Sequence, residues 1–410
     1  MTSTKYQINL KKQAPNIKLI FLLFVFLTAC NKDDYISSGQ ADSFIKFFGN
    51  SLANYGFDVK QTGDGGYIFI GTTASLDNGT EMLLVKTDKY GNQEWANNEI
   101  GGEYDDKGYS LQITPDGGYI LLGSYTGTAG GASDMYLVKT DNAGTVAWTN
   151  TIGGALNEEG YCIEMTNDGG YILAGFTESY GYGAKDIYLV KTNQSGDTTW
   201  TNTFGGPADD IGNSVVQKSD NSFVIAGSSE NFSEPDQDGS NVIMITTNEN
   251  GFENDKITVG GTGNDYANSL RILPGGGYVI IGSTSSYGAG LSDIYLILAG
   301  ENIHDQEVTK TFGGSGNDFG NSIQLTDDNG FAIIGTHGVA GNSTMCLIKT
   351  DQTGTEEFSE DYGGVGNETG EAVEQTSDGG FIMIGSSTIE GNSMISLVKT
   401  MPDGGLNPDK

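Results

Sequence analysis

Residues 101–152 read GGEYDDKGYSLQITPDGGYILLGSYTGTAGGASDMYLVKTDNAGTVAWTNTI. Tyr109 to Thr114 is a short run that ends in Pro115-Asp116-Gly117-Gly118. Tyr119 to Thr126 is apolar, with Gly123 inside it. A loop of small residues leads to Asp134–Asp141, then to the turn Asn142-Ala143-Gly144, and then to Val146–Ile152. Runs of this length, rich in Val, Ile, Tyr and Thr and bounded by Gly, Asp or Asn, read as strands. The pattern predicts four antiparallel strands, here called A, B, C and D. Asp-Gly-Gly between A and B supplies the positive φ that a two-residue hairpin loop demands. Between C and D, Asp141 and Gly144 take the first and fourth places of a type I turn.

The unit recurs along the chain. Gly-Gly pairs begin at Gly101, Gly153, Gly205, Gly260, Gly313 and Gly363, and Gly49-Asn50 is a degenerate first copy. Successive spacings are 52, 52, 52, 55, 53 and 50 residues. Seven four-stranded units of this size predict an all-β fold, a seven-bladed β-propeller over residues 43–401. A β-solenoid would use shorter repeats and parallel strands. Much of the glycine content, 63 of 410 residues, is therefore turn chemistry.

The ends of the repeat array favour a ring. The last copy stops after strand C (Ser396 to Thr400), and residues 43–48 supply an unattached strand D. An aromatic lies five residues before the glycine in D strands: Trp148, Trp200 and Phe358, and also Phe44 before Gly49. The N-terminal strand is thus expected to complete blade seven and remove the open edges. Strand A is then innermost. One of its positions reads Ser110, Cys162, Ser214, Ser269, Ser322 and Ala372, with Asp58 the exception. Small residues suit a place where seven strands converge. A monomeric propeller is expected.

The motifs Asp116-Gly117-Gly118-Tyr119, Asp168-Gly169-Gly170-Tyr171 and Asp378-Gly379-Gly380-Phe381 resemble those of bacterial seven-bladed β-propeller repeat proteins. The resemblance covers about residues 43 to 400. It departs at Asp220-Asn221-Ser222-Phe223 in blade four and at Gly275-Gly276-Gly277-Tyr278 in blade five. It implies the fold and an extracellular or surface location, and it implies no particular chemistry.

Residues 1–29 read as an address. Lys5, Lys11, Lys12 and Lys18 form a positive segment, followed by the apolar run Leu19–Ala29, too short to span a bilayer. Leu27-Thr28-Ala29-Cys30 resembles a bacterial lipobox, so Cys30 is the expected lipidation site. Asn31-Lys32-Asp33-Asp34 resembles the surface-export signal of Bacteroidetes lipoproteins. A lipid-anchored protein of the bacterial outer membrane, exposed at the cell surface, is expected. Residues 30–42 carry the anchor and a polar tether, and 402–410 form a tail. Cys162 and Cys346 read as two buried thiols.

The chain carries 20 basic and 53 acidic residues, a net charge of −33. Removing the four lysines of the address takes this to −37. Such a surface repels phosphate backbones, so nucleic acid is excluded as a partner. One arginine (Arg271) and two histidines (His304 and His337) rule out arginine clusters and histidine-rich sites. His337 reads as a loop residue. No Ser/His/Asp pattern or Cys/His metal spacing is seen.

Candidate binding residues fall on one face. The D–A loops repeat an Asn or Asp followed by an acid: Asp105-Asp106, Asn157-Glu158, Asp209-Asp210, Asn264-Asp265, Asn317-Asp318 and Asn367-Glu368. These suit Ca²⁺ or a polar ligand. Alternatively they cap their own loop amides or pair with the strand-C lysines Lys86, Lys139, Lys191, Lys349 and Lys399. Recurrence in almost every blade favours the scaffold role. The B–C loops vary more and carry Tyr180 and Tyr182, Tyr287, and Phe232 with Glu234, Asp236 and Asp238. Tyrosines beside carboxylates suit sugars. Asp236 to Gly239 echoes part of a Ca²⁺ loop without its closing Glu. No other cofactor is expected. The reading is a binding module for a carbohydrate or protein ligand rather than an enzyme. The alternatives are a carboxylate-based hydrolase or lyase of polysaccharide and a scaffold subunit of an outer-membrane complex.

Overall fold

The computed structural model describes residues 43–406 apart from 77, 78, 129, 231–238, 340, 341 and 365. It contains seven four-stranded antiparallel sheets. Blade two shows the plan: strand A is Lys107–Ile113, B is Tyr119–Thr126, C is Ser133–Thr140 and D is Val146–Ile152. Blade seven takes A, B and C from Glu368–Gln375, Phe381–Ile389 and Asn392–Thr400. Its strand D is Phe44–Phe48, with Phe44 opposite Lys399 and Phe48 opposite Ile395. The ring closes as the repeat array predicted.

The core is divided into seven slabs, each between two blades. Between blades one and two, Ile68, Ile70, Met82 and Leu84 meet Leu111, Leu121 and Val138. Strands B and C are buried on both faces, which is why they read as continuous apolar runs rather than alternating ones.

The A–B turn differs from expectation. Thr62 donates its N–H to Gly66 O at 2.9 Å, and Gly65 donates to Thr62 O at 2.8 Å. Three residues therefore form the loop, not two, and only Gly65 is left-handed (φ +83°). This is a type I turn closed by a left-handed glycine. The second glycine meets a different requirement. A Cβ on Gly66 would stand 2.2 Å from Thr87 O and 2.7 Å from Lys86 Nζ. That space belongs to a clasp: Lys86 Nζ donates to Asp64 Oδ2 and to Thr87 O, both at 2.9 Å. Lys139–Asp116, Lys191–Asp168, Lys349–Asp328 and Lys399–Asp378 repeat the ion pair. The strand-C lysines thus serve the A–B turns, not the D–A loops offered to them above.

Each clasp shares its blade with an aromatic that stitches the ring. A Cβ on Gly144 would lie 2.4 Å from the Trp95 ring of the preceding blade, and Gly196 meets Trp148 and Gly251 meets Trp200 in the same way. Phe44 packs on Gly91 and so joins blade seven to blade one. In blade four the lysine and aromatic places hold Thr246 and Asp255, which face each other across the strands. In blade five they hold Leu298 and Val308. Lysine and aromatic are lost together. A cavity of about 410 Å³ opens at that seam, lined by Lys218, Asp220, Asp255 and Ile303 among others.

Strand A carries a bulge in every blade, as between Gly108 and Ser110 in blade two. At the pinch, strand B offers glycine: a Cβ on Gly123 would lie 1.8 Å from Lys107 O. Gly123→Ala should therefore lower unfolding free energy by about 1–3 kcal/mol, the usual cost of overpacking. Chemical denaturation measures it, and a neutral result would mean that strands A and B are not pinched there.

Candidate functional site

The bulges decide what faces the centre of the ring. A bulge inserts one residue and re-aims its side chain. The seven inserted residues are Phe57, Tyr109, Tyr161, Asn213, Asn268, Asn321 and Glu371. They divide into an aromatic arc and an amide arc. Phe57 meets Tyr109 edge to face at 5.1 Å, and Tyr109 meets Tyr161 at 5.2 Å. Glu159 gathers the Tyr109 and Tyr161 hydroxyls at 3.0 and 3.2 Å. On the other arc, Asn213 donates to Ala267 O, Asn268 to Gly320 O and Asn321 to Gly370 O, at 2.7–2.9 Å. Each amide hooks the next inner strand. Glu371 closes the circle, and burial pushes its carboxyl up to about 7.

The small-residue position follows the bulge and has a second task. Ser214 Oγ accepts Leu270 N–H at 3.1 Å. Asp58, the exception in sequence, does the same with Leu111 N–H at 3.0 Å. Two residues further on, the centre is charged: Lys60, Glu164, Arg271 and Glu374 influence one another. Lys60 pairs with Asp58 at 2.8 Å. Burial raises the Glu164 and Glu374 carboxyls, with the two cations opposing it.

The D–A loop residues separate into two groups. Asp106, Asp210, Asp265 and Asp318 are buried. Each accepts the N–H of the second glycine of its loop: Gly102, Gly206 at 2.8 Å, Gly261 at 2.8 Å and Gly314 at 2.7 Å. Asp106 and Asp318 also take the N–H of Thr126 and Gly338, each at 2.9 Å. These contacts are those of a capping scaffold. Asp105 is exposed and caps Thr80 N–H at 3.0 Å, while Asp209 is half-buried.

The B–C loop tyrosines also divide. Tyr180 donates its hydroxyl to Gly153 O at 2.9 Å, and Tyr287 donates to Gly260 O at 2.7 Å, so both pin their loop to a D–A loop. Tyr182 is 85% exposed. Phe232, Glu234, Asp236 and Asp238 lie outside the described residues, as does Cys30. The acids are thus spread around the rim, and the described tyrosines are divided between blade three (Tyr180 and Tyr182) and blade five (Tyr287).

The mouth of the ring brings other residues together. A cavity of about 850 Å³ opens across blades five to seven on the D–A and B–C side. Asn317, Asn321, Asn342 and Asn367 line it, with Phe319, Leu291, Thr369 and Glu371. Phe319 is 40% exposed, and Tyr55 and Tyr266 occupy the same strand-A place in blades one and five. Asn317 and Asn367 belong to the D–A motif read in the sequence, whereas Phe319, Tyr55 and Tyr266 were not singled out there. Aligning the seven A strands shows the column, because its residues change character from blade to blade.

His337 is not in a loop. It lies on strand B of blade six (Phe331–Val339). Its Nδ1 is 2.9 Å from Asp361 Oδ1, and its Nε2 is 3.2 Å from Cys346 Sγ. Asp361 raises the imidazole pKa, and burial pushes the Cys346 thiol well up. Cys162 and Cys346 are free thiols; Cys346 is buried, but Cys162 is only half-buried.

No protein-family model matches the chain, and no curated protein matches it. Solved structures do. YCF48 bound to D1 peptide aligns with 10% identity and a TM-score of 0.52, over 89% of this chain and 99% of that one. A polysaccharide lyase, the PL25 ulvan lyase bound to -[GlcA(1-4)Rha3S]-, aligns with 9% identity and a TM-score of 0.53, over 88% and 97%. The β-propeller domain of the Trilobed protease from Pyrococcus furiosus aligns with 11% identity and a TM-score of 0.50, over 88% and 99%. What is shared is the propeller fold. That archaeal domain is described as having an open velcro topology. Here Phe44–Phe48 pairs with the last strand.

Proposed function

We propose that this chain is a surface-anchored lipoprotein whose propeller binds a neutral carbohydrate at the mouth lined by Phe319 and the four asparagines. The observation that carries the reading is that lining. Pockets of about 300–1,000 Å³ with a few placed polar groups suit small ligands, and this one holds about 850 Å³. Amides both donate and accept, which matches sugar hydroxyls. An aromatic face stacks on a pyranose ring. The net charge of −33 disfavours polyanionic glycans, so the ligand is neutral. Leu27-Thr28-Ala29-Cys30 and Asn31-Lys32-Asp33-Asp34 support anchoring through Cys30 and export to the outer-membrane surface.

A thermal-shift screen of the full chain against neutral oligosaccharides tests this reading. At least one should raise the transition, and Phe319→Ala or Asn321→Ala should weaken its binding about tenfold. Silence across the panel would remove the carbohydrate reading. A second reading, a polysaccharide hydrolase or lyase, has one observation in its favour. Glu371, with its carboxyl near 7, is suited to acid–base work at neutral pH. Turnover of a bound glycan that is abolished by Glu371→Gln would establish that reading instead.

A further inference from the structure

One corner of the blade, three places on strands B, C and D, changes around the ring: blade two holds Tyr125, Tyr136 and Thr151 there, blade four Ser229, Ile243 and Thr258, and blade seven Ser387, Ser396 and Phe47. In blade three the corner is Thr177, Tyr188 and Thr203. In blade five it is Thr284, Tyr295 and Thr311. In blade six the equivalent places are His337, Cys346 and Asp361. Cys346 stands directly opposite Asp361, with His337 two pairs along on the neighbouring strand and so on the same face. Three scaffold positions exchanged together for three metal-ligating side chains are not explained by packing, since the other blades pack without them.

We infer that His337, Cys346 and Asp361 form a binding site for a borderline divalent cation, with Zn²⁺ the best match. Sulfur, imidazole and carboxylate together are a zinc donor set. One donor atom from each residue lies within 4.8 Å of the others. Ligand atoms on a tetrahedral zinc stand about 3.3–3.8 Å apart, so the triangle closes on an ion by movements of about an ångström or less. Hard Ca²⁺ and Mg²⁺ are excluded by the thiolate. Access comes from the rim. Cys346 is buried, but the side chains of His337 and Asp361 are 20% and 48% exposed. The ion enters from their side, the thiol gives its proton to water, and the fourth position stays with water.

The geometry also explains why the site is preformed. The ring of His337 already lies between the other two donors, Asp361 at Nδ1 and Cys346 at Nε2, and an ion takes one ring nitrogen in place of its present contact. All three residues lie on paired strands of one sheet rather than on loops. Sites built on rigid elements bind with less ordering cost. Among the described residues this is the one group of three or more His, Cys, Asp or Glu donors close enough together to hold an ion.

The test is metal titration of the full chain. Purified protein dialysed against Zn²⁺ should retain one ion per chain and show a higher thermal transition. Co²⁺ in its place should give a thiolate-to-metal charge-transfer band. Cys346→Ser should abolish that band, and it and His337→Gln should each lower Zn²⁺ affinity at least about 100-fold. Asp361→Asn changes a half-exposed side chain and keeps the fold, and should lower affinity about 10–100-fold. His304→Ala, in the other His–Asp pair (His304 Nε2 to Asp255, 2.9 Å), should change nothing. The inference is overturned by absence of stoichiometric zinc, by a cobalt band that survives Cys346→Ser, or by wild-type affinity in Asp361→Asn. None of these outcomes bears on carbohydrate binding at the mouth.

Discussion

A chain lacking residues 43–48 should lose its cooperative thermal transition. Those residues are the whole outer strand of blade seven. Without them the backbone groups of Ile395–Lys399 face water along an open edge, and such an edge is a template for aggregation. The loss is also one of packing. Phe48 meets Phe69 edge to face at 4.9 Å and Phe44 meets Tyr67 likewise at 5.9 Å, and Tyr67 and Phe69 belong to blade one. The strand thus ties the first blade, to which it is joined in sequence, to the last, with which it pairs. A single substitution isolates the effect. Phe48 is buried within the slab of Val59, Phe69, Ile384 and Leu397, and Phe48→Ala should cost about 3–5 kcal/mol. Calorimetry of both variants measures this. A truncated chain that melts like the full one would mean that the ring does not depend on its closing strand.

The second large effect is a pH optimum of stability on the acid side of neutrality. The turn aspartates Asp64, Asp116, Asp168 and Asp328 are held at about 2, below their ordinary 3.8, by hydrogen bonds to a turn hydroxyl, the clasp lysine and a backbone N–H. A carboxyl depressed in the folded state adds stability above its unfolded value and loses it as pH falls through the folded one. The clasps therefore hold above about pH 4 and fail between 4 and 2. Their carboxylates are more than half exposed, so each contributes at most about 1 kcal/mol after screening, and the set a few. Acids of the opposite kind act earlier. Burial raises Glu371 to about 7 and also raises Asp106, Glu164, Glu368 and Glu374. For these the folded state binds protons more readily, so each adds stability as pH falls through its folded value, which for Glu371 begins at about 7. Relief of the net charge of −33 adds to that gain. The transition temperature should climb from pH 8 to about 5 and fall steeply below 4. Lys139→Met should soften the acid limb. A flat profile from pH 8 to 3 would show that neither set of carboxyls is coupled to folding.

The parts of this molecule that were legible in sequence are those written locally. A turn glycine or a Thr-x-Asp-Gly-Gly run needs only its own neighbours, so blades, strands and ring closure could be read from spacing. The A–B loop was misjudged by one residue because two different demands, a left-handed Gly65 and a space-limited Gly66, look alike in sequence. The lysine partners were misassigned for a related reason. Strand direction places Lys86 beside the turn at one end of the blade, a fact of register that composition does not contain.

The centre of the ring was less legible. Phe57 and Glu371 are neighbours only because seven bulges aim one residue each at a common axis, and a bulge has no short signature. Arg271 stood out as the sole arginine, yet nothing nearby in sequence placed it with Glu164, Lys60 and Glu374. His337, Cys346 and Asp361 are separated by 9 and 15 residues, which matches no helix or loop metal motif. They meet because strands B, C and D lie side by side. Comparing equivalent places across blades would have revealed them, since blade six places His, Cys and Asp together where blades two to five and seven hold none of these.

The acid excess is mainly architectural. Turn aspartates neutralise lysines, and the buried D–A carboxylates hold backbone amides that would otherwise be unpaired. That frees the mouth to be read by its amides and aromatics. Hydrogen exchange of the full chain, with and without a saturating neutral oligosaccharide from the thermal-shift screen, tests the functional claim most directly. Slowed exchange should be confined to 313–321 and 363–371, with the Asn342–Ser343 end of blade six strand C. Protection on the A–B and C–D turns instead, or none anywhere, would contradict it.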